Sequence, residues 1–318
     1  MAKKVKSKIL TKSQDNAVTI IKEKIKGRIN SSNAANSLTV ATNAFKFALV
    51  ESIKIAGLKG KDSIIKSQEP IKLFHEVIKK ELIKNGVNPN LIIPPINTGA
   101  NEMKLYGFIK DKTQDVCVLP NNCNPINETI SEGMLKGEND PNGLKYTERI
   151  LAINARSQMS SIAKNDDTIG ERTFAETINL HLRCPRMVLG ELFILPVTGF
   201  EMEEVKIKKA TFEKVKLKRA SGKSRTTAEI IESYINSFNF LNNRNYRKGE
   251  DYKYERVCLI IADFSKRPIK IYHTKKDLIK DKLLPKNSNC SFQDLKFSSF
   301  IKDLLKIYET RFGKGKFS

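Results

Sequence analysis

The chain has 318 residues, with 57 Lys and Arg against 35 Asp and Glu, which gives a formal net charge of +22. Hydrophobic residues make up 40% of it, enough for a buried core, so wholesale disorder is excluded. No apolar run approaches about 18 residues and none follows the basic start, so we expect neither a membrane span nor a secretory signal. Five cysteines without tight spacing predict neither a disulfide framework nor a zinc site, and we expect a cytoplasmic protein.

The excess of positive charge indicates a polyanionic partner. Nucleic acid is preferred over a membrane surface, because the sequence has no basic amphipathic helix with a Trp or Phe face. The alternative is a Lys-rich composition that makes the whole surface basic without a specific partner.

Helices are predicted at the N-terminus, in residues 1–65. The second of them has a broad apolar face that includes Phe45 and Leu49. A clearer helix spans residues 70–84, where Pro70 suits the first turn and Gly86 follows the end. We therefore predict a helical N-terminal arm over residues 1–65, followed by a Pro-rich turn after the third helix.

Short strands follow. Residues 104–110 and 115–120 are predicted to form a hairpin, with residues 111–114 as the turn. A third strand is predicted at residues 149–156, after a long Asn- and Gly-rich loop. Residues 157–183 are expected to be helical, with a break near 165–170 and a cap at Asp167 or Thr168. Residues 186–197 form a continuous apolar run, which is typical of a strand buried on both faces.

The remaining elements complete a second region, residues 66–318. Residues 201–225 are rich in Lys and Arg and are predicted to be a basic strand, ribbon or charged loop. A helix capped at Thr226 or Thr227, two further strands and a closing helix follow; the segments are 226–243, 256–264, 268–274 and the stretch that ends near Phe312. The predicted fold class is α/β (α+β), with a mixed sheet and a helical N-terminal arm.

Common catalytic signatures are absent from the sequence. It contains no phosphate-binding GxxxxGK[ST] loop, no GxGxxG, no HExxH and no GxSxG. His75, His181 and His273 are scattered, which gives little support for a Ser-His-Asp triad or for His-based metal chemistry. Carboxylate–metal chemistry and simple binding remain.

Residues 70–197 have the predicted order α, β, β, β, α, β with an acidic residue on the second strand, and this resembles the core of the PD-(D/E)xK nucleases. Asp115 opens an apolar strand directly after a turn, where it can hold Mg²⁺ while the nearby lysines meet phosphate; the alternative is a turn Asp. Glu191 lies inside an apolar strand, and a buried carboxylate needs a pair, a hydrogen bond or a metal. The alternative for Glu191 is an exposed position at the start of the strand.

A longer stretch carries a closer resemblance. The run INARSQMSSIAKNDDTIGERTFAETINLHLR (153–183), followed by PRMVLGELFILPV and later by YERVCLIIADF, resembles the ApaLI-like group of type II restriction endonucleases. The resemblance covers roughly residues 90–275. It implies a restriction-endonuclease-like core and Mg²⁺-dependent hydrolysis of both strands of a short palindromic DNA site by a homodimer.

The sequence departs from this pattern on the third strand. The D/E-x-K triplet of the superfamily is replaced by Asn154-Ala155-Arg156. Two catalytic arrangements therefore remain open. The preferred one combines Asp115 with Arg156 and a glutamate of the following helix, Glu171 or Glu176. The other uses Glu191 with Glu204 and Lys206.

Under the resemblance, the catalytic residues are Asp115, Arg156, Glu171 and Glu191, and the Mg²⁺ ligands are Asp115 and Glu191. Carboxylate oxygens suit Mg²⁺, and a nearby Arg stabilises negative charge on the phosphate. Arg, Gln and Asn are the residues that read guanine and adenine. The predicted DNA-binding residues are Gln158, Lys164, Asn165, Lys206, Lys208 and Lys209.

The predicted partners are double-stranded DNA, a second copy of the chain and a separately encoded DNA methyltransferase that protects the same site. The dimer contact is expected on the helical arm, through Ile20, Ile21, Phe45, Phe47, Leu49 and Val50. Equally, this face covers the core of its own subunit at Phe45 and Leu49. The rival functions are a non-catalytic nucleic-acid-binding protein and a structural protein with a basic surface.

Overall fold

A computed structural model describes residues 12–29, 37–98, 100–159, 162–163, 165–207, 210–219 and 225–317, with backbone alone at 166–167, 201–207 and 210–217. The α-helices of this part are α1 (Lys12–Ile29), α2 (Leu38–Lys66), α3 (Lys72–Lys84), α4 (Leu144–Thr147), α5 (Asp166–His181), α6 (Thr227–Phe240), α7 (Lys275–Lys280) and α8 (Phe297–Phe312). No helix within these residues has the length and apolarity needed to cross a bilayer.

The strands of the described residues are mostly short. They are β1 (Ile92–Ile93), β2 (Met103–Tyr106), β3 (Asp111–Gln114), β4 (Val116–Val118), β5 (Glu128–Thr129), β6 (Asn139–Asp140), β7 (Leu151–Ser157), β8 (Val188–Pro196), β9 (Thr198–Ile207), β10 (Ala210–Arg219), β11 (Arg256–Asp263) and β12 (Lys270–Tyr272).

A six-stranded mixed sheet forms the centre, in the order β1-β4-β7-β8-β11-β12. Strands β7, β8 and β11 are parallel to one another. On one side β4 pairs antiparallel with β7 and β1 pairs antiparallel with β4, and on the other side β12 pairs antiparallel with β11. Every residue of β8 is buried, which confirms the predicted central strand at 186–197. The predicted α/β class with a mixed sheet and helical N-terminal region is confirmed.

The two faces of the sheet carry separate apolar layers. Side chains of β7 alternate, so that Ile153 and Ala155 contact the layer of α1, α2, α3 and α8, while Ala152 contacts the layer of α5 and α6. On the first face Gly190 permits close packing, because a Cβ there would lie 2.8 Å from Leu304 of α8. The sheet is therefore the middle layer of an α/β/α arrangement.

The helices of the predicted N-terminal arm belong to the first of these layers. Ile21, Phe45 and Leu49 are buried in the same cluster as the strands of the sheet, whereas Ile20 and Phe47 are 56% and 54% exposed. Ile21, Phe45 and Leu49, which were among the residues expected at a dimer contact, therefore cover the core of their own subunit. The predicted boundary at residues 65/66 falls at the end of α2, and the division into two domains stays a prediction.

Two predicted strand assignments are wrong. The hairpin partner of β2 is β3, residues 111–114, which the sequence indicated as a turn, and β4 instead joins the central sheet. The first strand of that sheet is β1, inside the predicted Pro-rich turn. All four residues of Asp111–Gln114 are polar, so the segment has no apolar alternation that would predict a strand. In the structure only Gln114 of this segment is buried. If only the strands of the central sheet and the helices α3 and α5 are counted, the order α3, β1, β4, β7, α5, β8 is again α, β, β, β, α, β, with β1 in place of the predicted first strand at 104–110.

Several local signals give the expected structure. Thr226 caps α6 and exchanges hydrogen bonds with Glu229 in a capping box. The helix predicted over residues 157–183 is shorter than expected: Ser157 ends β7, the described residues from 158 to 165 are not helical, and α5 runs without a break from Asp166 to His181. The predicted break near 165–170 is therefore wrong, and the helix begins after Asn165, not at Asp167 or Thr168. The basic segment 201–225 contains most of a β9–β10 hairpin.

Candidate active site

A cleft of about 570 Å³ opens at one end of the strands of the central sheet, where β4 begins and β7 ends. These strands are antiparallel, and Val116 at the start of β4 is in register with Ile153 of β7, so the end of β7 extends past the start of β4. Strand β3 and helix α5 form further walls. The charged and amide side chains that line the cleft are Glu102, Lys110, Asp111, Lys112, Asp115, Asn154, Arg156, Gln158, Arg172, Glu176 and Gln68.

Asp115 lies immediately before β4, as the sequence predicted. Its Oδ2 accepts a 2.6 Å hydrogen bond from the backbone N–H of Ala155 on β7, and its side chain is 21% exposed. Burial raises the pKa of Asp115 to about 6, although the Ala155 N–H, Arg156 and Lys112 oppose that shift. The carboxylate is held in one orientation at the cleft wall, where an approaching cation favours its ionised form.

Asn154 and Arg156 are two residues apart on β7, so their side chains lie on the same face of the sheet. Glu191 on β8 is in register with Asn154, and its Oε1 lies 3.5 Å from Arg156 Nε. Glu191 is fully buried, which raises its pKa to about 7 against the effect of Arg156. Asn154 and Arg156 line the cleft, and Glu191 lies behind them.

Glu176 brings three cations together at the other wall. Its carboxylate lies 2.5 Å from Lys112 Nζ and 3.5 Å from Arg172 Nε, and it also accepts a hydrogen bond from Arg156. Burial, with the positive charges of Arg156 and Lys110, lowers the pKa of Lys112 to about 8. The cleft thus holds a cluster of cations around one carboxylate.

Glu171 does not reach this cleft. It precedes Glu176 by five helical positions, which turns the two side chains roughly 140° apart around α5. Glu171 is exposed and lines a separate apolar pocket with Phe174 and Phe240. Of the two glutamates considered from the sequence, the structure brings Glu176 to Arg156.

Asp115 also belongs to a group with Glu102 and His75, a histidine that was not expected to take part in metal chemistry. His75 Nε2 lies 3.7 Å from Asp115 Oδ2, and His75 Nδ1 lies 3.8 Å from Glu102 Oε1. One ligand atom from each of the three residues lies within 4.8 Å of the others. Burial and the charge of Asp115 raise the pKa of Glu102 to about 6.

The predicted DNA-binding residues fall in different places. Gln158 follows β7 and lines the cleft, whereas Asn165 precedes α5 without capping it through its side chain. The backbones of Glu204 and Lys206 lie on β9. Lys164, Lys208 and Lys209 lie outside the described residues.

Sequence reasoning missed His75 and Glu102 because they are far apart along the chain and match no spacing motif. Each has an ordinary local explanation: His75 in an amphipathic helix and Glu102 in a polar loop. Lys112, by contrast, was expected near phosphate as one of the lysines close to Asp115 along the chain, although the segment that carries it was expected to be a turn.

Comparisons with protein-family models, with curated proteins and with solved structures find no match to this chain. The function is therefore inferred from the geometry of the cleft and from the sequence.

Proposed function

We propose that this protein is a Mg²⁺-dependent endonuclease that cuts both strands of double-stranded DNA at a short palindromic site, in the manner of type II restriction endonucleases. The observation that carries the proposal is the convergence of Asp115 with Arg156 and Lys112 on one cleft. The order α3, β1, β4, β7, α5, β8 supports it, because Asp115 directly precedes the second strand of that succession. The net charge of +22 suits a nucleic-acid substrate.

The residues present fit a divalent cation. Asp115 and Glu102 both line the cleft, and neither has a Lys or Arg ion pair within 4.0 Å among the described residues. Carboxylate oxygens are the ligands that Mg²⁺ prefers. A bound ion would withdraw negative charge from the scissile phosphate and make the attacking water more acidic.

Arg156 and Lys112 are the proposed contacts to the scissile phosphate. Both are partly buried, with side chains 19% and 18% exposed, so their charge is poorly screened by water. In this proposal Glu191 orients Arg156 from behind, and Asp115 is the carboxylate that faces the metal ion. The arrangement of Glu191 with Glu204 and Lys206 is the alternative.

Sequence recognition is assigned to residues around the cleft. We assign a base contact to Gln158, and this assignment is supported by its position two residues after Arg156 in the lining of the same cleft. Asn165, Lys164, Lys206, Lys208 and Lys209 are the remaining proposed contacts to DNA, with the lysines assigned to the phosphate backbone.

The proposed assembly is a homodimer in the cytoplasm, with a separately encoded methyltransferase for the same site. A two-fold dimer presents two identical clefts to the two strands of a palindrome. Exposed Ile20 and Phe47 on α1 and α2 are the candidates for the contact. The five cysteines are all free thiols, which suits a reducing compartment.

Light scattering that finds a monomer at the concentrations used for cleavage would remove the dimer from the proposal.

Plasmid cleavage tests the function directly. The purified chain is incubated with supercoiled DNA and Mg²⁺, and then with excess EDTA. Discrete fragments that disappear with EDTA are expected. A plasmid that shifts in a gel but stays intact would favour the non-catalytic binding protein. A plasmid that neither shifts nor is cut would mean that DNA is not the partner of the basic surface.

A further inference from the structure

His75, Glu102 and Asp115 come from three separate parts of the fold. His75 is on α3, Glu102 precedes β2, and Asp115 precedes β4. Their nitrogen and oxygen atoms approach to 3.7 and 3.8 Å around the imidazole, too far for direct hydrogen bonds. One ion takes only one of the two imidazole nitrogens, so the relevant separation is the 4.8 Å within which one ligand atom of each residue lies. That separation leaves room for an ion between the three ligands.

The His75 side chain is only 4% exposed, yet its Nε2 has no hydrogen-bond partner among the described residues. A buried polar atom left unsatisfied costs roughly 1–3 kcal/mol. The nitrogen faces Asp115 Oδ2, which already accepts from the Ala155 N–H. A metal ion is a partner that an unprotonated nitrogen and two carboxylates satisfy together.

The nearby lysines do not neutralise this group of carboxylates. Lys72 lies 3.2 Å from Glu69, and Lys79 is paired with Glu76. Glu102 and Asp115 have no such basic partner within 4.0 Å in the described part of the chain. The two remaining carboxylates balance the charge of one divalent cation.

An ion has a route to this position. Glu102 and Asp115 line the large cleft, while Glu102 and His75 line a second cavity of about 200 Å³. Glu102 therefore lies at the boundary between the two spaces. The imidazole is reached from the second cavity and the carboxylates from the first.

We propose that His75, Glu102 and Asp115 bind one divalent transition-metal ion, and that this site prefers Mn²⁺ to Mg²⁺. A mixed nitrogen and oxygen ligand set favours ions softer than Mg²⁺, which takes oxygen ligands almost exclusively. The statement that Mn²⁺ supports DNA cleavage better than Mg²⁺ rests on the proposed function. The statement that these residues bind Mn²⁺ does not depend on it. It adds His75 to the carboxylates of Asp115 and Glu102, and this set takes the place of the Asp115 and Glu191 pair expected from the sequence.

Metal binding without DNA tests the site. Free Mn²⁺ is followed by its electron paramagnetic resonance signal while the full chain is titrated, and bound Mn²⁺ is then displaced with Mg²⁺. One equivalent of Mn²⁺ should bind, and at least a tenfold excess of Mg²⁺ should be needed to displace half of it.

His75→Gln and Glu102→Gln are the informative variants, with exposed His273→Gln as the matched control. His75→Gln offers an oxygen in place of the nitrogen, so the preference for Mn²⁺ over Mg²⁺ should shrink at least tenfold. Glu102 is half-buried at the cleft rim, so Glu102→Gln disturbs the core less and should weaken Mn²⁺ binding about tenfold or more. His273→Gln should bind as the unaltered chain does, and circular dichroism of each variant establishes that it is folded.

The results separate this inference from the proposed function. Unchanged Mn²⁺ binding in folded His75→Gln and Glu102→Gln would overturn the site, even if the chain cuts DNA. Absence of Mn²⁺ binding by the unaltered chain at millimolar concentration would overturn it as well. Specific Mn²⁺ binding by a chain that leaves plasmid intact with either ion would support the site and remove the proposed nuclease function.

Discussion

The carboxylate of Asp115 accepts a 2.6 Å hydrogen bond from the backbone N–H of Ala155, between the start of β4 and the neighbouring strand β7. Because Ala155 lies between Asn154 and Arg156, this bond fixes the position of the carboxylate relative to both cleft residues of β7. A polar contact thus continues the strand pairing beyond Val116, which is in register with Ile153.

Asp115→Asn should abolish most cleavage while the fold is retained. Asparagine keeps an oxygen that accepts the Ala155 N–H, but it removes the charge proposed to face the metal ion. We expect the cleavage rate to fall by roughly 100-fold or more, and the free energy of unfolding to change by about 1 kcal/mol or less. Exposed Asp294→Asn is the matched control and should cut normally. A folded Asp115→Asn that cuts at the unaltered rate would exclude Asp115 from catalysis.

Glu176→Gln should strengthen DNA binding in the presence of EDTA. Glu176 pairs with Lys112, Arg156 and Arg172, and its negative charge opposes a phosphate at the same position. Removal of that charge leaves the cations available to phosphate, so the affinity for DNA should increase. The slope of the logarithm of the binding constant against the logarithm of the salt concentration should steepen by about 0.9 for each additional phosphate that the cations neutralise. Fluorescence anisotropy of a labelled duplex at several salt concentrations measures both quantities.

The matched control for this variant is Glu171→Gln. The same charge is lost from the same helix, but Glu171 is exposed and lies away from the cleft. Equal tightening in both variants would mean that total charge, rather than the release of Arg156 and Lys112, determines the affinity.

Phe45 and Phe47 offer a test of which face of α2 is buried. Phe45 is 2% exposed and packs edge-on against Phe74 and Phe264, whereas Phe47 is 54% exposed. Phe45→Ala should lower the free energy of unfolding by about 3–5 kcal/mol, and Phe47→Ala by no more than about 0.5 kcal/mol. Urea denaturation measures both. A large loss of stability for Phe47→Ala would indicate that Phe47 is covered in solution, as in the proposed dimer.

Strong apolar patterns made the centre of this fold predictable from sequence. The runs at 188–196 and 256–263 are long, nearly all apolar and bounded by polar segments, so their burial is evident from composition alone. By contrast, β1 has two residues beside a proline, and β3 is polar. Both form because neighbouring strands supply hydrogen-bond partners, and this information lies outside the segments themselves.

The candidate site was predictable only where the chemistry is local. Asp115 could be identified because an acid opens an apolar strand, and Glu191 because a single charge interrupts one. The choice between Glu171 and Glu176 needed the rotation of α5 relative to the sheet. His75 could not be associated with Asp115, because their proximity depends on how α3 packs beside β4.

A buried charge cluster at the other end of the sheet predicts the acid stability of the protein. Glu255 is fully buried, and its Oε1 lies 2.7 Å from Arg311 and 3.1 Å from Arg244, while its Oε2 accepts from the Leu189 N–H. Burial alone would raise the pKa of Glu255, but His181, Arg311 and Arg244 outweigh burial and lower it to about 2. These contacts join α8 and the loop before β11 to the central sheet.

Because the pKa of Glu255 is lower in the folded chain than in the unfolded one, its contribution to stability is complete above the unfolded value of about 4.3. As the pH falls from there towards about 2, the unfolded chain takes up the proton first and the contribution is lost, on the order of 3 kcal/mol in total. Glu255→Gln should therefore lower the free energy of unfolding by about 3–5 kcal/mol near pH 6, since Arg244 and Arg311 are left buried without their carboxylate. It should also flatten the fall in stability between pH 4.5 and 3. Urea unfolding across this range, with exposed Glu309→Gln on α8 as the control, measures both effects, and parallel pH profiles for Glu255→Gln and the unaltered chain would contradict the assignment.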